Sequence, residues 1–287
     1  MASDIQIFES VKQEEFSKVL NALEQDWPKH FLLHQIITTF REYKEAGSTW
    51  EQYLYIYGTF ESGVYLNIIS SETYSRVNVY TASSDLTEMK KALMETHLIP
   101  WRQESFIFEM IDNRFLGVMQ EVFATKHGKF EISSDNMFLY PPNKELHIQP
   151  LPEDVYIENL DESYAAEMDK NWPHRYPGSE LVHKNNLRYN FGLGIFRRSD
   201  KKLLSSSLSN HTGGVFVLHT DLECRRKGYA AIVVQHMVQE CRRRGRIPFC
   251  TVIIGNKPSE RLFTKLGFEK FTLVDYVILL SNTQHIT

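Results

Sequence analysis

The sequence predicts an α+β protein of two similar halves, each a mixed, mostly antiparallel sheet flanked by helices. Three observations carry the prediction. The 287 residues amount to about two domains at the usual size of roughly 100–200 residues each. Landmarks recur about one domain length apart: Trp27-Pro28 returns as Trp172-Pro173, Ile111-Asp112-Asn113 as Ile254-Gly255-Asn256, and Gly128-Lys129-Phe130 as Gly267-Phe268. Short apolar runs alternate with amphipathic ones through the C-terminal half, as strands do with helices. The repetition reads as an internal duplication, with domains at 1–145 and 146–287 joined near Tyr140-Pro141-Pro142-Asn143-Lys144, where two prolines in a polar stretch favour an extended linker.

In the first half, Thr81 to Met89 offers Ser84 or Asp85 as a helix N-cap. In the second half, Asp161 to Trp172 and Ser179 to Tyr189 read as helices, and Gly192–Arg197, Leu203–Ser209 and Val215–His219 as strands. The segment from Tyr229 to Arg244 is the clearest helix. Ala230, Val233, Val234, Met237, Val238 and Cys241 form one apolar stripe, Arg242-Arg243-Arg244 suit the negative end of the helix dipole, and Gly245 suits the left-handed stop. Pro248–Ile254 is the next strand and Pro258–Leu266 the next helix, and Phe271–Leu273 and Tyr276–Leu280 finish the sheet.

Composition sets limits on function. No run approaches the roughly 18 apolar residues that cross a bilayer, and the N-terminus lacks the basic-then-apolar order of a secretory signal. The three cysteines, Cys224, Cys241 and Cys250, are odd in number and lack metal-ligand spacing. These features point to a reducing intracellular compartment, cytoplasmic or mitochondrial, with no membrane partner and no metal. The net charge of −4 divides into −8 over residues 1–148 and +4 over 149–287. The basic half suits an anionic ligand, but its excess is too small to argue for nucleic acid. Oligomeric state stays open.

Chemistry concentrates at Arg225-Arg226-Lys227-Gly228-Tyr229-Ala230, a basic glycine turn between a strand and the longest helix of this half. Such a turn bares backbone N–H groups at the positive end of a helix dipole, a site for phosphate or pyrophosphate. Gly228 permits close approach of the backbone, and Ala230 is small enough not to obstruct it. The first half has no counterpart: Thr81-Ala82-Ser83-Ser84-Asp85-Leu86-Thr87-Glu88-Met89 lacks basic residues and carries acids that would repel an anion.

These residues resemble the acyl-coenzyme-A pyrophosphate loop of the GCN5-related N-acetyltransferases (GNAT), Arg/Gln-x-x-Gly-x-Gly/Ala, here Arg225, Gly228 and Ala230. A second block, Asn256-Lys257-Pro258-Ser259-Glu260-Arg261-Leu262-Phe263 closing in Leu266-Gly267-Phe268, is similar to that family's second signature. Two motifs in order weigh more than either alone. Within the superfamily, Thr212 to Phe268 looks most like the glycine N-acyltransferase-like branch. The resemblance implies two GNAT-like domains, the first without a phosphate loop and serving as scaffold or acceptor-side wall. The second would hold acyl-CoA as co-substrate and pass its acyl group to the amine of a small acceptor, such as glycine or another amino acid, by direct attack without a metal.

It also implies roles for residues. Backbone N–H groups of Arg226, Lys227, Gly228, Tyr229 and Ala230, with Arg225, would hold the pyrophosphate; Leu218 would face the acyl carbonyl from a splayed strand; Asn256, Ser259 and Phe263 would line the pantetheine side. Two departures stand out. Where relatives place a basic Glu or His, this chain has Gly214 and Phe216, and where they place an acidic Tyr it has Phe263. His211, His219 and Tyr276 are the substitute acid–base candidates, readable otherwise as a loop histidine, a packed or capping histidine and a core tyrosine. Cys224 lacks the His-Asp partners of a nucleophile. A coenzyme-binding regulatory protein without turnover and a protein or peptide N-acetyltransferase are the alternative readings.

Overall fold

The computed structural model describes residues 6–71, 75–99, 101 and 106–280, and it divides them into two compact units. Along the chain run β1 (Glu9–Ser10), α1 (Phe16–Glu24), α2 (Phe31–Glu45), β2 (Glu51–Tyr57), β3 (Val64–Ser70), β4 (Ser75–Thr81), α3 (Thr87–Glu95), β5 (Phe106–Asp112), α4 (Leu116–Lys126) and β6 (Phe130–Leu139). Then follow β7 (Val155–Asn159), α5 (Ala165–Lys170), α6 (Ser179–Tyr189), β8 (Phe191–Arg197), β9 (Leu203–Ser209), β10 (Val215–Thr220), α7 (Tyr229–Arg243), β11 (Phe249–Ile253), α8 (Lys257–Leu266) and β12 (Glu269–Leu279).

The units are not the contiguous 1–145 and 146–287 that the sequence suggests. Unit 1 holds the described residues up to His34, Thr49–Asn136, and those from Thr272 on; unit 2 holds Gln35–Ser48 and Met137–Phe271. Side chains account for both departures. Within unit 2, the buried Gln35 donates from Nε2 to the carbonyls of Gly213 and Ile247, both at 3.2 Å, and accepts from the Ile247 N–H at 2.8 Å. Tyr43 Oη donates to Asn186 Oδ1 at 2.8 Å, and Glu42 pairs with Arg246 at 2.7 Å. Within unit 1, Asp275 accepts from Asn113 Nδ2 at 2.9 Å and from Ser134 Oγ. Val277 and Leu279 join the core of that unit.

Unit 1 is a sheet in the order β1-β2-β3-β4-β5-β12-β6, in which β1/β2, β2/β3, β3/β4 and β5/β12 are antiparallel and β4/β5 is parallel. Leu66, Val77, Phe108 and Val277 on the sheet pack against Met89 and Leu93 of α3 and Met119 and Phe123 of α4.

Unit 2 contains the four-stranded antiparallel sheet β10-β9-β8-β7 and a second run in which β11 lies beside β6. β10 and β11 each end their row, so the described strands form no ladder between the two. α7 serves both rows. Val233, Met237 and Cys241 pack on Val155, Ile195, Leu204 and Val215, while Val234 and Val238 pack on Cys250, Val252, Phe263 and Phe268. Leu218 touches both clusters. The apolar stripe read from sequence is therefore two adjoining stripes, one for each side of a gap between strands.

Candidate functional site

β10 reaches the gap through an irregularity. Val215 and Phe216 pair with Ser209 and Leu208, and the ladder resumes with His219 opposite Ser206, so Val217 and Leu218 share one partner position. Val217 has φ +52°, a left-handed conformation that is an outlier for a β-branched residue. Side chains of β9 brace the bulge: Ser207 Oγ donates to the Phe216 carbonyl at 2.8 Å, and Ser205 Oγ to the His219 carbonyl at 2.9 Å. Strain held in place beside a cleft is characteristic of functional backbone.

After β10 a 3-10 turn, Leu222–Cys224, leads to the basic loop. Arg226 has φ +64° and Gly228 φ +86°, so left-handed residues alternate and successive N–H groups turn to one side. Gly228 is the N-cap of α7, and the first intrahelical bond is from the Ile232 N–H to the Gly228 carbonyl at 3.1 Å. The N–H groups of Tyr229, Ala230 and Ala231 lie before it and have no acceptor within the helix, and the dipole adds positive potential there. A Cβ at Gly228 would meet nothing closer than Gln149 Oε1 at 3.9 Å. The loop therefore opens onto space and is not packed shut.

That space is a cavity of about 1060 Å³ wholly within unit 2. Leu218, His219, Arg225, Arg226, Gly228, Tyr229, Ala230, Asn256 and Ser259 line it, nine of the sequence-derived candidates. Lys144, Arg225, Arg226 and Lys265 oppose a single lining carboxylate, Glu145. A surplus of cations beside free helix N–H groups is the electrostatic form of a site for a multiply charged anion. The residues thus fit the diphosphate portion of coenzyme A in charge and shape.

The other candidates lie elsewhere. Lys227 is exposed on the loop and does not line the cavity. Phe263 is 4% exposed, its ring 5.1 Å from that of Phe268 in the core below α8, so it packs and does not line. His211 is buried in the turn between β9 and β10, outside the lining. Tyr276 falls on the part of β12 that belongs to unit 1, not with the loop. Asn256 lines the cavity and also caps α8, its side chain accepting the Ser259 N–H at 3.3 Å.

At the position where relatives carry a base, Gly214 is walled in. A Cβ there would lie 2.5 Å from Phe216 Cε2 and 2.8 Å from Phe249 Cζ, and these two rings meet edge to face at 5.8 Å. An aromatic pair occupies the space a side chain would need at this position. His219 is the one imidazole of the three acid–base candidates that reaches the cavity wall. Burial lowers its pKa from the usual 6.5, Asp221 opposes the shift, and Arg225 adds to it. It is neutral at pH 7 and able to accept a proton. Burial pushes the Cys241 thiol up to about 12 and Cys250 well above its usual value, so neither is a nucleophile.

Sequence reasoning missed the opposite wall. Tyr140 and Lys144 line the cavity from the stretch read as a linker, and Glu145, His147 and Gln149 from just after it. Its two prolines signalled extended chain but not what the chain lies against. Gln235 on α7, 7% exposed and polar, accepts the Gln149 N–H at 3.0 Å and is the residue that signals a covering segment.

Among the described residues no His/Cys/Asp/Glu group suits a metal ion, and no helix is long and apolar enough to cross a membrane.

Comparison with known proteins agrees with this anatomy. Residues 192–277 match a family model described as FR47-like protein, and residues 7–122 match a domain of unknown function, DUF5645. No curated protein matches the sequence. A solved Drosophila protein is 20% identical and superposes with TM-score 0.87 over 97% of this chain and 100% of its own. A GCN5-related N-acetyltransferase-like protein from Streptococcus suis is 14% identical with TM-score 0.52, covering 93% of this chain and 99% of its own. A tandem GNAT protein from the clavulanic acid biosynthesis pathway is 10% identical with TM-score 0.54, covering 94% and 97%. The chain thus has the two-domain α+β fold of GCN5-related N-acetyltransferases, and its residues 192–277 form an FR47-like segment.

Proposed function

We propose that unit 2 binds an acyl-CoA and transfers its acyl group to the amine of a small acceptor, glycine or another amino acid, as in the glycine N-acyltransferase-like branch that its motifs resemble. The observation that carries this reading is the Arg226–Gly228 nest at the start of α7, opening into a cation-lined cavity beside the ladder-free pair β10 and β11. In this reading Arg225, Arg226 and the N–H groups of Gly228 to Ala230 hold the diphosphate. The bulge at Val217 turns the Leu218 N–H toward the thioester carbonyl, where a fixed donor stabilises the developing oxyanion. The acceptor nitrogen attacks the carbonyl carbon; the C–N bond forms and the C–S bond breaks. His219 accepts the proton the nitrogen sheds, and the thiolate leaves to be protonated by solvent.

Incubation with acetyl-, benzoyl- and longer acyl-CoA against an amino-acid panel tests the proposal through thiol release. Release above background with one acceptor class is the expected result, and background release throughout counts against it. One observation favours a second reading. Phe216 and Phe249 fill the relatives' base position, and Phe263 is buried where they have an acid. A coenzyme-binding regulatory protein would show tight binding by calorimetry with no turnover.

A further inference from the structure

The covering segment Tyr140–Gln149 is held largely through its backbone. Arg242 Nη2 donates to the carbonyls of Pro141, Pro142 and Lys144 at 2.8, 2.9 and 2.8 Å, and its guanidinium lies 4.8 Å from the Tyr140 ring centre. Tyr140 Oη donates to the Glu145 carbonyl at 2.8 Å, and the Gln149 N–H is held by Gln235. Both ends of the segment are thus tied to unit 2 between α7 and α8. Lys144 crosses the end of α8, where a Cβ on Gly267 would come within 2.8 Å of Lys144 Cε. Lys265, in the last turn of α8, joins the same wall.

These cations belong to the end of α8, whereas the nest belongs to the start of α7, so a diphosphate in the nest leaves them unused. Lys144 is paired with Glu269 at 3.3 Å and His147 with Glu145 at 3.7 Å, all four being exposed. Exposed pairs of this kind contribute little, because water screens them. A phosphate carrying more charge than one carboxylate displaces them readily.

We infer that Lys144, His147 and Lys265 form a second anion subsite that takes the phosphate on the ribose of coenzyme A. The inference rests on the coenzyme reading above and adds selectivity: the covering segment distinguishes the 3′-phosphorylated carrier from its dephosphorylated form. Glu269 is then a stand-in that holds Lys144 until the phosphate arrives.

Calorimetry with coenzyme A and with dephospho-coenzyme A tests it on the full chain. The wild type binds coenzyme A about tenfold tighter, the worth of roughly one charge-assisted contact. The Lys144→Gln/Lys265→Gln double variant closes that gap to within about twofold, weakening coenzyme A far more than dephospho-coenzyme A. Glu269→Gln, an exposed position, frees Lys144 and widens the gap. Equal wild-type affinity for the two compounds, an equal loss of both in the double variant without a wider gap in Glu269→Gln, or a gap unmoved by either variant overturns the subsite. A wild-type protein that binds neither compound overturns the coenzyme reading itself.

Discussion

Two glycines of unit 2 show how differently an absent side chain can be used. At Gly228 a methyl group finds open space, but φ is +86°. Gly228→Ala therefore costs about 1–2 kcal/mol of backbone strain, read as a lower urea midpoint, and keeps coenzyme affinity within a few-fold. Gly228→Glu adds a carboxylate inside the anion site and abolishes binding by calorimetry. Retained affinity in the Glu variant would mean the loop is not the cradle. At Gly214 a side chain finds Phe216 and Phe249 within 3 Å. Gly214→Glu would overpack the ring pair, so it does not restore a base to an otherwise competent frame. The motif residues of the loop were legible because the need for a left-handed residue and for bare N–H groups is local. The aromatic wall was not, because Phe249 lies 35 positions from Gly214. His219 sets the pH dependence of the proposed reaction. Burial lowers its pKa, so the base form exists above a value below 6.5. kcat/KM should rise with pH through that point and level off by pH 7, and His219→Ala should remove the rising limb. An unchanged limb in the variant would assign the proton to another group.

The elements of unit 2 were legible in proportion to how self-contained they are. α6, β9 and α7 fall within a residue of the positions expected, and α7 does so on its own apolar stripe. The helix expected over Asp161–Trp172 shrinks to a 3-10 turn at Glu162–Tyr164 followed by α5. Asp161 holds the Ser163 N–H at 2.8 Å and makes the first turn a tight one. The two strands expected around Phe271 and Tyr276 are the single strand β12. Asp275 breaks the apolar pattern in its middle, but Asn113 and Ser134 satisfy that carboxylate, and no local signal marks such distant partners. β7 escapes a reading from pattern because five residues, Val-Tyr-Ile-Glu-Asn, are too short to establish a period. α8 makes a prediction at this scale. Its cap is Asn256, whose removal by Asn256→Ala should destabilise the fold by about 1 kcal/mol. If Asn256 also lines the pantetheine side, the same variant weakens coenzyme A more than the cap loss explains. Denaturant midpoints with and without coenzyme separate the two effects.

Over the whole chain the two-part organisation was legible and the division of segments was not, because the deciding contacts are single side chains far apart in sequence: Gln35 with Gly213 and Ile247, and Asp275 with Asn113. Buried polar groups in both units also govern how the molecule responds to acid. Burial is the main cause lowering the pKa values of His30, His219 and His236. Above pH 6.5 these imidazoles are neutral in folded and unfolded chains alike and exert no pull. Below it the unfolded chain takes up protons first, so stability falls as pH drops from 6.5 toward the folded values. Glu240 acts lower. Its bonds to Arg243 and Arg244 bring its pKa down to about 2 against 4.5 in the unfolded chain. Its contribution is complete above 4.5 and is lost as pH falls toward 2. Thermal unfolding should therefore show a midpoint that is level from pH 8 to 7, declines below 6.5, and declines again below 4.5. Glu240→Gln should lessen the second decline and leave the first. A midpoint constant from pH 7 to 5.5 would mean that the three histidines take up protons in the folded chain as easily as in the unfolded one, and that their burial carries no electrostatic cost.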